Sequence, residues 1–366
     1  MNINLRGPMS TFLGYGHCCF NIAKALDKLG HNIAYFPIGT PQLTSGLQTD
    51  YDLVSKWLRA AETFDYLAPC LNVWHENQTA THIGYGPHNY LAFFESDTLD
   101  HVRKHQMGFP DRIIAPSKWA KEVLEKNGIT KQIVVVPMGV DPDVYNTNPI
   151  PKSADEPTKF LCIGKKEVRK GHDILIEAFN AAFEPEDDVQ LIMLWANPFL
   201  SEPEGLQWDS LYKQSKLGPV VRLHNSTKSD AEYLKILKDA DCCVFPSRSE
   251  GFGMPILQSI CLGKPVITTN YSAMTEFCTN SNSMLIEVDE LEAAYDGKWF
   301  HGTGSWAKYG KSQMDQLVAY LRLVHKANME GRLNSVVGKN FLGECDKTRQ
   351  AFSWEQTALK LQENLL

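Results

Sequence analysis

Residues 246–258 read PSRSEGFGMPILQ, and this stretch decides the fold. It follows an apolar run at 242–245 and leads, through a helical stretch at 255–261, to a β-branched run at 265–268. A strand ending in a glycine-rich turn, a helix opened at a proline and a return to a further strand make up the repeating unit of a doubly wound α/β sheet. Glycines let the backbone approach a ligand closely, and a helix start supplies free N–H groups and a positive dipole end. Such a loop suits phosphate and sugar hydroxyls, with Glu250 as a hydrogen-bond acceptor. The same glycines also serve a plain strand–turn–helix connection.

The alternation extends outward in both directions. Upstream of the block, strands are expected at 160–163, 189–195 and 220–223, with helices at 172–183 and 230–238. The stretch 147–158 is rich in proline, carries no periodicity and reads as a linker. Before it, strands are expected at 2–5, 33–36, 71–74, 82–85, 112–115 and 133–136. A loop carrying Gly14-Tyr15-Gly16 is expected ahead of a helix at 17–29, and Ser117 is placed to cap a helix at 118–127. A parallel α/β sheet on each side of a linker is the natural solution, with ligands at the C-terminal strand ends on a shared cleft.

Composition agrees with two domains. The chain has 366 residues, 43% apolar and 22% charged, enough for two cores. Its net charge of −7 disfavours a protein held to nucleic acid by a whole-surface basic field, although one basic face would suffice for a nucleic-acid acceptor. No run approaches the roughly 18 apolar residues of a membrane span, and the start, MNINLRGPMSTF, lacks the pattern of a signal peptide. The nine cysteines are scattered, with no C-x-x-C, which reads as a reduced, cytoplasmic protein without a structural zinc site.

The block at 246–277 resembles the donor-site signature of the retaining family-4 glycosyltransferases, the group 1 glycosyl transferases. Further pieces fall in that family's order: GYG at 14–16, VVPMGVD at 135–141, IGKKEVRKGHDILIEAF at 163–179 and FSWE at 352–355. The resemblance implies the GT-B architecture: two Rossmann-like doubly wound domains facing a central cleft, with a C-terminal helix crossing back to the N-terminal domain. The expected divisions are an acceptor domain at 1–148, a nucleotide-sugar donor domain at 149–350 and the returning helix at 351–366. It implies transfer of a sugar from a UDP- or GDP-linked donor to a hydroxyl acceptor, a glycan or other sugar by default, with no metal and no cofactor. A hydroxymethylated base in DNA is the alternative acceptor, and a nucleotide-sugar binding protein without turnover is the rival from another class. A phosphorylase-like reading lacks sequence context for a pyridoxal-phosphate lysine.

Site residues follow from the same matches. Lys165 and Lys170 are directed at the donor diphosphate, where positive charge stabilises the leaving phosphate. Their neighbours Lys166 and Arg169 read as a solvated basic face. Glu250, with Gly251, Phe252, Gly253 and Met254, forms the donor loop. Gln258 stands where the family places a glutamate on the ribose, and keeps hydrogen bonding without the carboxylate charge. Gly14 and Gly16 fall near donor phosphate and acceptor. His75, closing the strand at 71–74, is the cleft histidine, with His88, Glu95 and Asp97 as nearby candidates. The family's glycine-rich strand end is absent at LIMLWANPFL, leaving Arg222, His224 and Asn225 as neighbours of the base. Met138 replaces the asparagine of the family's hinge, and Phe352 and Trp354 are expected to pack in the core or between domains.

Overall fold

The structure, a computed structural model, describes residues 1–147 and 156–365. Residues 148–155 of the expected linker lie outside the described residues. The chain divides into two compact units: Met1–Asp141 with Ser229–Ala231 and Ala351–Leu366, and Pro142–Lys228 with Glu232–Gln350.

The first half alternates β1 (Asn2–Gly7), α1 (Gly14–Lys28), β2 (Asn32–Pro37), α2 (Gln48–Ala60), β3 (Cys70–His75), β4 (His88–Phe93), α3 (His101–Gln106), β5 (Arg112–Ala115), α4 (Lys118–Lys126) and β6 (Gln132–Val135). Its sheet is parallel in the order β2-β1-β3-β4-β5-β6. Leu5, Leu71 and Leu91 on one face and Tyr90 and Ala92 on the other are buried, as a sheet covered on both faces requires. Ser117 caps α4 by accepting from the Ala120 N–H at 3.1 Å.

The second half runs β7 (Thr158–Ile163), α5 (His172–Ala182), β8 (Val189–Leu194), α6 (Glu202–Lys213), β9 (Val221–His224), α7 (Asp230–Asp239), β10 (Cys242–Phe245), α8 (Met254–Cys261), β11 (Val266–Thr269) and β12 (Met284–Ile286). These strands form a second parallel sheet, β12-β11-β10-β7-β8-β9. A hairpin of β13 (Leu291–Tyr295) and β14 (His301–Ala307) follows, then α9 (Lys311–Met329), α10 (Phe341–Ala351) and α11 (Trp354–Leu365). Phe160, Leu175, Phe179, Leu191, Met193 and Val244 form the core of this unit.

Two local expectations change. Residues 82–85 are not a strand: Gly84 at φ +81° and Gly86-Pro87 break the chain, and the strand is the buried run His88–Phe93. The helix expected at 17–29 begins at Gly14, so the GYG triplet is its first turn rather than a loop before it. The hairpin and α2 lie outside the expected elements, α2 although it buries Val54 and Trp57 on one face.

The expected structural role of the PMGVD stretch has a concrete form. The Val140 N–H donates to the Phe352 carbonyl at 2.9 Å, the Trp354 N–H donates to the Val140 carbonyl at 3.1 Å, and Thr357 Oγ1 donates to the Pro137 carbonyl at 2.8 Å. Gly139 is required there, because a Cβ would stand 2.2 Å from the Ser353 carbonyl carbon. These contacts fasten the start of α11 to the first unit, where Trp354 is buried and lies 5.9 Å from the His17 ring.

All nine cysteines are free and buried, and burial pushes the Cys18 thiol up to about 12. Among the described residues no helix is long and apolar enough to cross a membrane.

Candidate active site

The loops after β7 and β10 meet in the second unit. β7 ends at Ile163, and a single 3₁₀ turn, Val168–Lys170, leads through Gly171 into α5. β10 ends at Phe245, and the glycine loop runs to α8. The Arg248 N–H donates to the Arg169 carbonyl at 2.7 Å, so the two loops are stitched backbone to backbone. Gly253, at φ +93°, precedes α8 without a side-chain cap. This arrangement leaves the first-turn N–H of Met254 for a ligand, since Pro255 has none.

Charged side chains line the junction in alternating sign. Lys170 Nζ lies 2.7 Å and 2.8 Å from the two Glu250 oxygens. Arg169 Nη1 lies 3.1 Å from Glu250 Oε2, and its Nη2 lies 2.9 Å from Glu167 Oε2. Lys165 Nζ lies 2.8 Å from the other Glu167 oxygen, Oε1. Ser247 Oγ donates to Glu250 Oε1 at 2.7 Å. Burial alone would raise Glu250, but Lys170 and Arg169 outweigh it and hold the carboxyl below its ordinary range. Glu167 goes down to about 2, its burial overcome by Arg169, Lys165 and Lys170. Three cations against two carboxylates leave the group with a net positive charge, suited to an anion.

The basic neighbours are not solvated. Lys166 is 6% exposed and Arg169 4% exposed. Lys166 pairs with Asp209 at 2.7 Å and stands over the Trp195 ring, and Arg169 joins two buried carboxylates. A run of basic residues is solvated only when nothing acidic faces it, and here Asp209 and Glu250, remote in sequence, do. Beneath the loop, the buried His172 ring is pushed down to about 4 by desolvation, and its Nε2–H donates to the Lys165 carbonyl at 2.9 Å.

The donor-loop side chains divide. Phe252 and Met254 are buried, with Phe252 packed on Phe277 at 5.2 Å, so their side chains belong to the core beneath the loop. Gln258 is also buried, its Oε1 accepting from the Tyr233 hydroxyl at 2.5 Å. Arg222 is turned back onto the Pro219 and Val221 carbonyls at 2.8 Å and 3.2 Å, away from the strand end where a base would be read. His224, the last residue of β9, and Asn225 do stand at that end.

Two features carried no sequence signal. Arg248 forks onto Asp173 at 2.9 Å and 2.8 Å and reaches Glu292 at 3.0 Å, tying the glycine loop to the hairpin. The hairpin turn carries Trp299, 42% exposed, against Phe199, 52% exposed, at 6.1 Å, and Lys165 Nζ stands 5.5 Å from the Phe199 ring centre.

In the first unit, His75 ends β3 and its Nδ1 lies 3.1 Å from the Tyr15 hydroxyl. Tyr15 also packs on Trp74 and Phe93 at 5.4 Å each. Gly16 fits tightly: a Cβ would stand 2.1 Å from the Ser10 carbonyl oxygen, whereas a Cβ on Gly14 would meet nothing within 4 Å. Packing of α1 thus accounts for glycine at position 16 without a ligand. His88 is not near His75. It opens β4 opposite Cys70, at the other end of the strand pair, where Asn72 Nδ2 lies 2.9 Å from its Nε2. Desolvation holds His88 neutral, down to about 4. Glu95 and Asp97 follow the C-terminal end of β4, the same end as His75. Glu76, buried and paired with Arg103 at 2.7 Å, is raised to about 7 by burial, with Glu95 adding to the rise. Among the described residues no three His, Cys, Asp or Glu side chains are grouped to hold a metal ion.

The family model described as Glycosyl transferases group 1 matches residues 157–297, which contain both loops of the junction. Over this segment the chain is similar to the group 1 glycosyl transferases. Over the whole chain the fold is that of the GT-B enzymes. A sucrose-phosphate synthase from Thermosynechococcus elongatus has a TM-score of 0.69 at 16% identity, covering 100% of this chain and 98% of that one. Anabaena Alr3699/HepE in complex with UDP-glucose has a TM-score of 0.70 at 16% identity, covering 100% and 99%. By sequence, the putative glycosyltransferase 45 of Sulfolobus islandicus filamentous virus is 24% identical over 197 residues, 52% of this chain and 50% of the relative. The D-inositol 3-phosphate glycosyltransferase of Arthrobacter sp. is 29% identical over 203 residues, 50% and 47%. The chain spans about half the length of these curated relatives.

Proposed function

We propose that the chain is a retaining glycosyltransferase that moves a sugar from a nucleotide-diphosphate donor to a hydroxyl acceptor without a divalent metal. The observation that carries the reading is the junction itself, with Lys170 and Lys165 beside a glycine loop and a helix start. A diphosphate entering there takes hydrogen bonds from both ammonium groups and from the Met254 N–H, which supply the countercharge a metal would otherwise provide. Release of Lys170 from Glu250 frees that carboxylate to accept from hydroxyls of the donor sugar. The bond from the sugar anomeric carbon to the diphosphate oxygen breaks with its electron pair going to the oxygen. The acceptor oxygen bonds the same carbon from the same face, and its proton passes to the leaving phosphate. Same-face attack rests on the family resemblance.

The donor nucleotide is UDP or GDP; structural neighbours were solved with UDP and with UDP-glucose. For the acceptor we propose a glycan or other sugar, with Tyr15 and His75 orienting its hydroxyl. Nine buried free thiols fit a reducing, cytoplasmic setting.

The test is hydrolysis or transfer from UDP-glucose, UDP-galactose, UDP-N-acetylglucosamine and GDP-mannose by wild type and Glu250→Gln. Glutamine keeps the shape but removes a charge-assisted acceptor, and kcat/KM is expected to fall roughly tenfold to a hundredfold, with EDTA leaving the wild-type rate unchanged. Wild-type rates in Glu250→Gln refute the role given to that carboxylate.

A further inference from the structure

Arg169 touches neither phosphate nor sugar in this reading, yet it is the most deeply buried cation of the junction. We propose that Arg169 is a positioning residue for the transfer reaction, the standing counter-charge that keeps Glu250 ionised and aimed once Lys170 has turned to the donor diphosphate. The inference rests on the donor assignment proposed above.

The two cations on Glu250 are unequal. Lys170 carries a compact charge on a flexible stem, its side chain 13% exposed. It swings to a phosphate by rotating that stem. Arg169 is a planar fork fixed on several sides: Glu167 at 2.9 Å, Glu250 at 3.1 Å and the Ser249 carbonyl at 2.8 Å. It cannot follow the donor. When the diphosphate draws Lys170 away, Glu250 loses one of its two cations while it stays buried. A desolvated carboxylate left without a cation takes up a proton, and a protonated carboxyl is a poorer acceptor for sugar hydroxyls.

Among the described residues nothing else around Glu250 replaces the charge. Ser247 donates one neutral hydrogen bond at 2.7 Å, and Ser272 Oγ accepts from the Glu250 backbone N–H at 2.9 Å. The Cys162 thiol on β7 also faces this group, and burial pushes it up, so it stays neutral. Glu167 has the same sign as Glu250 and is neutralised by Arg169 and Lys165, so it supplies no counter-charge. Lys165 is tied to Glu167 and reaches Glu250 only through Arg169. Arg169 therefore holds both the acceptor carboxylate and, through Glu167, the second phosphate lysine.

The test is the pH profile of donor turnover for wild type, Arg169→Met and Arg169→Lys, in the native and the Glu250→Gln backgrounds. The substrates are UDP-glucose, UDP-galactose, UDP-N-acetylglucosamine and GDP-mannose. Glu250 works in its charged form, so its activity is lost as pH falls. Removing Arg169 raises its proton affinity in the donor complex and moves the acid limb of kcat upward, by roughly one to three pH units. Arg169→Lys keeps a charge and keeps the wild-type limb, with a lower kcat because one ammonium cannot span both carboxylates. In the Glu250→Gln background Arg169→Met moves no limb. An unmoved limb in Arg169→Met, or an equal shift in both backgrounds, overturns the inference alone. Should Arg169→Met fail to fold, a displaced limb in Arg169→Lys overturns it and an unmoved one sustains it. A wild type that turns over none of these donors overturns the donor assignment, and this inference with it.

Discussion

Lys170→Met lowers donor turnover by about a hundredfold to a thousandfold, the loss expected when one preorganised group that stabilises developing charge is removed. In the proposed reaction Lys170 is the cation that meets the leaving diphosphate, and no other ammonium contacts both Glu250 oxygens among the described residues. Because the interaction is already made with the bound diphosphate and strengthens as the phosphate gains charge, kcat falls and kcat/KM falls further. The fold survives the change. Methionine fills the place of the lysine stem, and Glu250 keeps Arg169 and Ser247 as partners, so no buried carboxylate is left alone. Steady-state kinetics beside a thermal melt separate the effects. An intact melt with wild-type turnover removes Lys170 from the chemistry.

Gly171→Ala is expected to act through structure, and strongly. Gly171 sits at φ +69°, and a Cβ there would stand 2.0 Å from the Pro246 carbonyl oxygen. A left-handed backbone costs any other residue about 1–3 kcal/mol. Overpacking against backbone, which cannot rotate aside, adds about 1–3 kcal/mol more. The loops after β7 and β10 must separate to admit the methyl group, and the Arg248-to-Arg169 backbone bond at 2.7 Å lies across that seam. The variant therefore melts at a markedly lower temperature and loses turnover even where it is folded, because Lys170 and Glu250 come from opposite sides of the seam. Calorimetry checks the first outcome and kinetics at low temperature the second. A wild-type melt contradicts the close approach.

The Glu250 loop was readable because its signals are local: a strand run, glycines, then a proline at a helix start. The position of Lys165 and Lys170 after β7 was local in the same way, while the role expected of them came from the family resemblance alone. What could not be read was the pairing between loops. Arg169 and Lys166 looked like surface charges because their partners, Glu250 and Asp209, lie 81 and 43 positions away in sequence. His88 was misplaced for a related reason. The strand was set at 82–85, and the true register puts His88 at the opposite end of the sheet from His75. The hairpin escaped because β13 is largely exposed and the stretch LEAAYDGKWFHG, from β13 through the turn into β14, mixes polar and aromatic residues without period two.

The most direct test is calorimetric titration of UDP and of GDP into wild type and Lys170→Met. One of the two nucleotides is expected to bind wild type at a single site and to lose roughly tenfold or more in affinity in the variant. Binding of neither nucleotide, or equal affinity for both proteins, would contradict the assignment of the junction between the β7 and β10 loops as a diphosphate site.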